Sequence, residues 1–153
     1  MSAKAAWARL AVLALAVLAL DQLTKAVVVG SIEQGERSEV LPFLDFVHVR
    51  NEGVAFGLLD GAGQALVMTV TLIAIGLVGA WFAVKPTRPG AWLAIGFLAG
   101  GAIGNLIDRF ARDAVVDFLD LPAWPSFNVA DIAITAGVVL LVLAMLKEPR
   151  AGE

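Results

Sequence analysis

The sequence predicts an integral membrane protein that is mainly α-helical, with four transmembrane helices and a small extracytoplasmic β-sheet segment. Hydrophobic residues make up 59% of the 153 residues, whereas soluble domains contain about 45–50%. Several apolar runs are long enough to cross the hydrocarbon core of a bilayer, which takes about 20 residues in a helix. The basic residues beside these runs fall in three places that four crossings bring to one side of a membrane.

Each predicted span is an apolar run bounded by polar residues. The spans cover residues 5–29, 65–84, 91–107 and 129–146. The polar turn Lys85–Gly90, which contains two prolines, separates the second span from the third. We expect one membrane-embedded domain over residues 1–153. A cleaved signal peptide at the N-terminus is the alternative, but no clear A-x-A site ends the first apolar run, which continues into "DQLTK" (Asp21–Lys25).

The distribution of charge predicts the direction of the spans. The basic residues before the first span, between the second and third, and after the fourth are Lys4, Arg9, Lys85, Arg88, Lys147 and Arg150. The positive-inside rule places them, and both termini, on the cytoplasmic side. Residues 30–64 and 108–128 then face outward, and they contain most of the acidic residues of the chain.

The first outward segment, residues 30–64, shows a pattern typical of β-structure. Apolar and polar side chains alternate in part over Phe43–Val49, and the Asn51–Gly53 turn would end such a strand. We expect one or more strands in a small sheet on the outer membrane surface. The second outward segment is expected to be a loop that holds Asp117.

The third span has a face of small residues. Gly96, Gly100 and Gly104 are spaced by four and therefore lie on one side of a helix. Such glycines let helix backbones approach closely in a membrane. We interpret them as packing positions.

The composition excludes several kinds of site. The chain has no cysteine, so disulfides, thiolate nucleophiles and cysteine metal sites are ruled out. Its single histidine, His48, argues against a histidine metal cluster or a Ser-His-Asp triad. A net charge of −3 without a basic block gives no indication of nucleic-acid binding.

Polar residues gather at the outer ends of the predicted spans. They are Asp21, Lys25, Asn105, Asp108, Arg109, Asp117, Asn128 and Asp131. Ionisable groups at membrane depth indicate a functional site. A purely structural interpretation is open for each of them: Asp21 and Lys25 form an i,i+4 pair, and Asn128 caps the fourth helix with Asp131 as its N3 acid.

Asp117 and Asp131 are the pair best suited to chemistry. They are 14 residues apart, with Pro122 and Pro125 between them, so the chain can turn back and bring the two carboxyl groups together. Two close carboxylates share a proton because both cannot ionise cheaply. One can then act as a base on water while the other donates a proton to a carbonyl oxygen, without cysteine, histidine or metal.

Five motifs in order resemble the lipoprotein signal peptidase family, bacterial signal peptidase II. They are "DQLTK" (Asp21–Lys25), "NEGVAFG" (Asn51–Gly57), "GGAIGNLIDR" (Gly100–Arg109), "VVDF" (Val115–Phe118) and "FNVADIAI" (Phe127–Ile134). The resemblance runs through the whole chain. It implies an intramembrane aspartyl endopeptidase of the bacterial cytoplasmic (inner) membrane, with its active site near the extracytoplasmic face. Such an enzyme removes the signal peptide from diacylglyceryl-modified prolipoproteins, cleaving just before the lipidated cysteine.

The resemblance also implies roles for particular residues. Matched to the motifs, Asp117 and Asp131 are the catalytic dyad. The positions that support the site or hold substrate are Asp21, Lys25, Asn51, Gly53, Asn105, Asp108, Arg109, Asn128 and Ala130. Membrane lipids and a globomycin-type inhibitor are expected to bind, whereas no cofactor or metal is expected. Phe56, Phe118 and Phe127 are apolar residues expected near the dyad and are candidates to line a groove on its lipid side, although packing alone would also explain them.

Three other interpretations remain at this stage. A small transporter would use carboxylates to bind protons or cations, although transporters usually place them near the midplane on broken helices. A structural or assembly protein would explain the glycine face but not the polar motifs. A Mg²⁺ or Ca²⁺ site would use Asp108, Asp117 and Asp120 as ligands.

Overall fold

The computed structural model describes residues 1–53 and 62–146 of the chain. Within them lie the helices α1 (Ala3–Ser31), α2 (Ala62–Val84), α3 (Ala91–Arg112) and α4 (Val129–Leu146). The strands are β1 (Arg37–Leu41), β2 (Leu44–Asn51) and β3 (Val115–Asp120). Phe56, Lys147 and Arg150, which entered the interpretation above, lie outside the described residues.

The four helices are each long and apolar enough to cross a membrane, which confirms the predicted fold class. They form one bundle with two distinct ends. We call the end where α1 ends and α4 begins the sheet end, because the three strands lie there. The opposite end, at the connection between α2 and α3, is called the turn end.

Helix α3 lies at the centre of the bundle because its small residues allow close packing on both sides. A Cβ atom on Gly100 would lie 2.7 Å from the Ala14 carbonyl oxygen of α1. On the other side, a Cβ on Gly101 would lie 2.5 Å from the Ala130 carbonyl oxygen of α4. The helix α2 is the least buried of the four. The glycine face predicted from the sequence therefore serves helix packing.

The turn end is closed by a compact apolar cluster. Ala6, Leu10, Phe82, Ala91 and Ile95 are buried there and join α1, α2 and α3. Arg88 adds a polar link, since its guanidinium donates to the carbonyl oxygens of Ala144 and Met145 at the end of α4. This satisfies carbonyl groups that a helix end leaves without partners.

The sheet has the order β1-β2-β3, with both pairs antiparallel. Two expectations about this region were wrong. Asp117 lies on strand β3 rather than in a loop, because Val115–Asp120 pairs with the distant β2. Phe43, which the alternation placed in a strand, lies in the turn between β1 and β2 and is 63% exposed.

Helix α3 continues beyond its predicted end at residue 107 to Arg112. Asp113 ends it in a left-handed conformation with φ of 56°, and its amide donates to the Arg109 carbonyl oxygen. The extra turn holds Asp108 and Arg109 on the same rigid helix as Asn105. The sheet and the sheet ends of α1, α3 and α4 thus surround one polar cluster.

Candidate functional site

Strand β3 places Asp117 between two asparagine side chains. Asn51 donates to Asp117 Oδ2 at 2.8 Å, and Asn128 donates to Asp117 Oδ1 at 2.7 Å. Asp117 is only 2% exposed. Burial raises the pKa of its carboxyl group to about 6, and the negative charge of Asp131 also raises it, while the hydrogen bonds from the two asparagines act in the opposite direction.

Asp131 lies in the first turn of α4 and shares a partner with Asp117. The Asn128 backbone amide donates to Asp131 Oδ2 at 3.2 Å, and the Asp131 amide donates to Asn128 Oδ1 at 3.0 Å. This reciprocal pair is a capping box, so the structural interpretation of these two residues is correct. The same Asn128 side chain also contacts Asp117, and Asn105 donates to Asp131 Oδ1 at 2.8 Å. Capping and the binding of both aspartates are therefore combined in one asparagine.

Three asparagines present their NH₂ groups to the two aspartates, and each is oriented by a donor on its own oxygen. The Gly53 amide donates to Asn51 Oδ1 at 2.9 Å. Lys25 donates to Asn105 Oδ1 at 2.9 Å, and the Asp131 amide occupies Asn128 Oδ1. Since an amide oxygen that accepts a bond turns its nitrogen the other way, the NH₂ groups point at the carboxylates.

Lys25 is fully buried and has three acceptors for its three protons. Its Nζ lies 2.9 Å from Asp21 Oδ2, 2.7 Å from Asp108 Oδ2 and 2.9 Å from Asn105 Oδ1. Asp21 and Asp108 are also fully buried, and Arg112 pairs with the other oxygen of Asp108 at 2.6 Å. The cluster contains two acids, Asp21 and Asp108, and two bases, Lys25 and Arg112, so its net charge is zero. Each of the three ammonium protons has an acceptor.

The buried ion pairs also fix the elements that carry the aspartates. Asp21 Oδ1 accepts from the Ala130 amide at 2.9 Å, which ties α1 to the first turn of α4. Asp108 Oδ2 accepts from the Val116 amide at 3.4 Å, one residue before Asp117 on β3. Helices α1 and α3 thereby hold Asp117 and Asp131 from the side opposite the sheet.

Gln22 and Arg112 belong to this cluster but were absent from the predicted set. Gln22 donates to Asp21 Oδ2, Asp108 Oδ1 and the Gly104 carbonyl oxygen, at 3.2 to 3.3 Å. Gln22 lies inside the quoted motif "DQLTK", which could have indicated it. Arg112 follows Asp108 by one helical turn, so an i,i+4 pair was visible only if α3 was known to continue past residue 107.

Arg109 and Gly53 lie together beside the two aspartates. The Arg109 Nη1 donates to the Asn105 carbonyl oxygen at 3.2 Å, while its buried Nε has no hydrogen-bond partner among the described residues. Gly53 has a φ of +75°, and a Cβ built on it would lie 3.8 Å from the Arg109 Nη2. Glycine suits this position because other residues rarely adopt that backbone conformation.

The three phenylalanines named for a lipid-side groove differ in what the structure says of them. Phe56 lies outside the described residues. Phe118 is 4% exposed and packs edge to face on Phe46 at 6.3 Å between ring centroids, so it belongs to the sheet core. Phe127 is partly buried, and its backbone pairs with Leu119. A groove made by these side chains has no support beyond the sequence.

The metal interpretation finds no geometric support in residues 1–53 and 62–146, where no three acidic or histidine side chains are arranged as ligands. Asp108 is bound by Lys25 and Arg112. Asp120 pairs with Arg37 at 2.7 Å and accepts from Ser126 at 2.8 Å. Two of the three carboxylates suggested for a divalent cation are therefore occupied by positive charges.

Comparisons with known proteins agree with the resemblance noted in the sequence. The family described as Signal peptidase (SPase) II matches residues 13–147. The lipoprotein signal peptidase of Moorella thermoacetica is 44% identical and covers 92% of this chain and 93% of its own length. That of Pelotomaculum thermopropionicum is 41% identical, covering 86% and 88%. A bacterial membrane enzyme solved by the in meso method at 1.9 Å superposes with a TM-score of 0.81 and 34% identity, covering 92% of this chain and 94% of that one.

Proposed function

The chain belongs to the signal peptidase II family, and from this premise we propose that it is an intramembrane aspartyl endopeptidase that removes signal peptides from prolipoproteins. Its substrates carry a diacylglyceryl group, and cleavage falls just before the lipidated cysteine. The observation that best supports this proposal is that Asn128 binds both carboxyl groups: its side chain donates to Asp117 Oδ1, and its backbone amide donates to Asp131 Oδ2. No cation is paired directly with either aspartate within hydrogen-bond distance among the described residues, so neither carboxyl group is committed to an ion pair.

The proposed reaction uses one proton held between the two carboxyl groups. Asp117, whose pKa is raised to about 6, holds this proton and donates it to the carbonyl oxygen of the scissile bond. The ionised Asp131 takes a proton from a water molecule, whose oxygen attacks the carbonyl carbon. Collapse of the tetrahedral intermediate breaks the C–N bond. The leaving amine receives the proton that Asp131 took, and a hydroxyl group of the intermediate returns its proton to Asp117, which restores the dyad and leaves a carboxylic acid product.

The three asparagines keep the two carboxyl groups in place during these transfers. Each of their NH₂ groups donates to an aspartate oxygen, so a carboxylate that loses or gains a proton keeps at least one fixed hydrogen bond. Such preorganisation lowers the reorganisation that the reaction requires. Arg109, beside them, is the proposed contact for a substrate carbonyl group.

We further propose that both termini are cytoplasmic and that the sheet end faces outward. The basic turn Lys85–Gly90 at the opposite end supports this direction under the positive-inside rule. The dyad then lies at the outer membrane interface, at the depth of a lipid-anchored peptide bond. A globomycin-type inhibitor would bind in the same place and exclude the substrate.

A transporter is not favoured by the arrangement of charges. The ionisable residues of α3 and α4 gather at the sheet end, whereas transporters usually bind ions near the midplane on broken helices. Both helices are continuous over their described lengths. We therefore retain the peptidase as the single proposal.

The decisive test is to assay the purified protein on one prolipoprotein with and without its diacylglyceryl group. We expect the lipidated form to be cleaved and the unlipidated form to be a very poor substrate, because two acyl chains fix the depth of the scissile bond at about 0.8 kcal/mol per buried CH₂. Equal rates would show that the peptide sequence alone is recognised. Absence of cleavage of both forms would contradict the proposed activity.

A further inference from the structure

A large apolar cavity lies inside the helix bundle, directly below the two aspartates. Its volume is about 530 Å³, within the ~300–1,000 Å³ typical of ligand pockets. All four helices line it, and Thr71 is the one hydroxyl-bearing side chain among the lining residues. The cavity is bounded by α2 on one side, which is the least buried helix.

The upper end of the cavity adjoins the catalytic groups. Ala102 lines the cavity one helical turn below Asn105 on α3, and Ile134 lines it one turn below Asp131 on α4. The cavity continues down to Ile95 on α3 and Leu141 on α4. From Asp131 to Leu141 the helix advances about 15 Å, which is half of the ~30 Å hydrocarbon core and so about the depth of one lipid leaflet.

Two aromatic side chains bound the lower end of the cavity. Trp7 and Phe82, which both line it, pack edge to face with 4.7 Å between ring centroids. Phe82 is fully buried in the apolar cluster of the turn end. A peptide segment that continues across the membrane would meet these side chains, whereas a hydrocarbon chain that ends inside the membrane fits the apolar cavity that they bound.

We propose that this cavity binds one acyl chain of the substrate's lipid-modified cysteine, entering from the dyad and reaching down to Trp7 and Phe82. This proposal rests on the proposed peptidase function and assigns a site to part of its substrate. Filling the cavity with the acyl chain fixes the lipidated cysteine at the upper opening. The scissile bond, next to that cysteine, is then held at Asp117 and Asp131.

Two glycines of α2 provide a matched pair of variants. Gly79 lines the cavity, Gly76 does not, and a Cβ built on either would have no atom within 4 Å. Leucine at position 79 therefore extends into the cavity without a backbone clash, and leucine at 76 adds the same volume outside it. Both exchanges also replace a glycine in a helix by a better helix former.

The experiment compares lipopeptides of one sequence that carry either long or short acyl chains. The unchanged protein and Gly76→Leu should both prefer the long-chain substrate. In Gly79→Leu we expect the ratio of kcat/KM for long over short chains to fall about tenfold. An unchanged ratio in Gly79→Leu, or an equal fall in Gly76→Leu, would overturn the proposed site.

A second measurement needs no variant of the cavity. A lipopeptide with a photoreactive group at the end of its acyl chain should label the residues around Trp7 and Phe82 in the unchanged protein. Labelling only of outward-facing α2 residues such as Leu77 would overturn the proposal. If the unchanged protein cleaves neither lipopeptide, the proposed function fails, and the labelling pattern still decides whether the cavity holds the chain.

Discussion

The Lys25 Nζ lies 2.9 Å from Asn105 Oδ1, and this contact determines which end of the Asn105 amide faces Asp131. A lysine ammonium can only donate, so it requires the oxygen of the amide and turns the NH₂ group toward the carboxylate. Lys25 does not contact Asp131 directly. It orients the Asn105 side chain, which does. Its own charge is held by Asp21 and Asp108.

The first prediction is that Lys25→Met destabilises the protein strongly. Methionine is similar in length but leaves the buried carboxylates Asp21 and Asp108 without their shared cation. Removing one partner of a buried ion pair costs about 3–5 kcal/mol. Thermal unfolding in detergent should show a large drop in Tm. Lys4→Met, at an exposed position of the same helix, should have the same Tm as the unchanged protein. Equal Tm values for both variants would mean that the cluster is not buried as described.

The second prediction concerns the proposed dyad. Asp117→Asn and Asp131→Asn should each abolish turnover, because asparagine keeps the shape of the side chain but cannot exchange a proton. Asp45→Asn is the matched control: Asp45 forms a surface pair with Arg37, and such pairs contribute little. The measurement is cleavage of lipidated substrate. Retention of more than a few per cent of activity by either dyad variant would contradict the assignment.

Asp117→Asn has a further expected effect on stability. The folded-state pKa of Asp117 is raised from 3.8 to about 6, so its favourable contribution to the free energy of unfolding is full below pH 3.8 and is lost as the pH rises through about 6. A neutral asparagine avoids this loss, although its NH₂ group replaces one of the two oxygens that accept from Asn51 and Asn128. We therefore expect the Tm of the variant, relative to that of the unchanged protein, to rise between about pH 4 and pH 7. A variant that unfolds cooperatively but does not turn over substrate separates loss of chemistry from loss of fold.

The sequence predicted the four helices and the strands within residues 30–64, but it missed strand β3. A membrane span shows itself locally because every residue of the run must be apolar, so α2 and α4 were found almost to the residue. Strand β3 pairs with β2, more than sixty residues earlier, and its six residues are too short a run to identify the strand and its partner from the sequence alone. Membership of that strand is what buries Asp117, so burial, the largest cause of its raised pKa, was not predicted from the sequence.

The polar residues were found because charges near a membrane are rare, but their contacts were not. The i,i+4 spacing correctly indicated Asp21 with Lys25. That Lys25 also binds Asp108, and that Asp21 accepts from the Ala130 amide, depends on how α1, α3 and α4 pack together. The roles of these residues in catalysis remain predictions, to be decided by activity measurements.

The third prediction is a fall in turnover as the pH rises above about 6. The dyad must retain one proton, and Asp117 is the group that holds it. The apparent pKa of this fall in rate will belong to the pair of aspartates and not to either residue alone. The measurement is kcat for lipidated substrate over a pH range of about 4 to 9. A rate that continues to rise through pH 8 would contradict the assignment of the proton to Asp117.

The fourth prediction separates the two roles of Asn128. Serine is nearly as good an N-cap as asparagine, but it lacks the NH₂ group that donates to Asp117. Because that hydrogen bond lowers the pKa of Asp117, Asn128→Ser should raise it and move the alkaline fall in rate to higher pH. Asn128→Ala should show the same shift and also lose about 0.5–2 kcal/mol of stability with the cap. Identical pH profiles for Asn128→Ser and the unchanged protein would show that the Asn128 contact with Asp117 does not tune the dyad.

The last prediction tests whether close helix packing positions the polar cluster. A Cβ on Gly104 would lie 2.6 Å from Asp21 Oδ2, so Gly104→Ala must displace the carboxylate that binds both Lys25 and the Ala130 amide. We expect a lower Tm and a loss of activity, although alanine is the better helix former by about 1 kcal/mol. Gly76→Ala is the control, since no atom lies within 4 Å of its added Cβ. It should keep full activity and unfold at an equal or higher temperature. If both exchanges behave like Gly76→Ala, then Asp21 can move without consequence, and the contacts that link α1 to the first turn of α4 do not hold Asp131 in place.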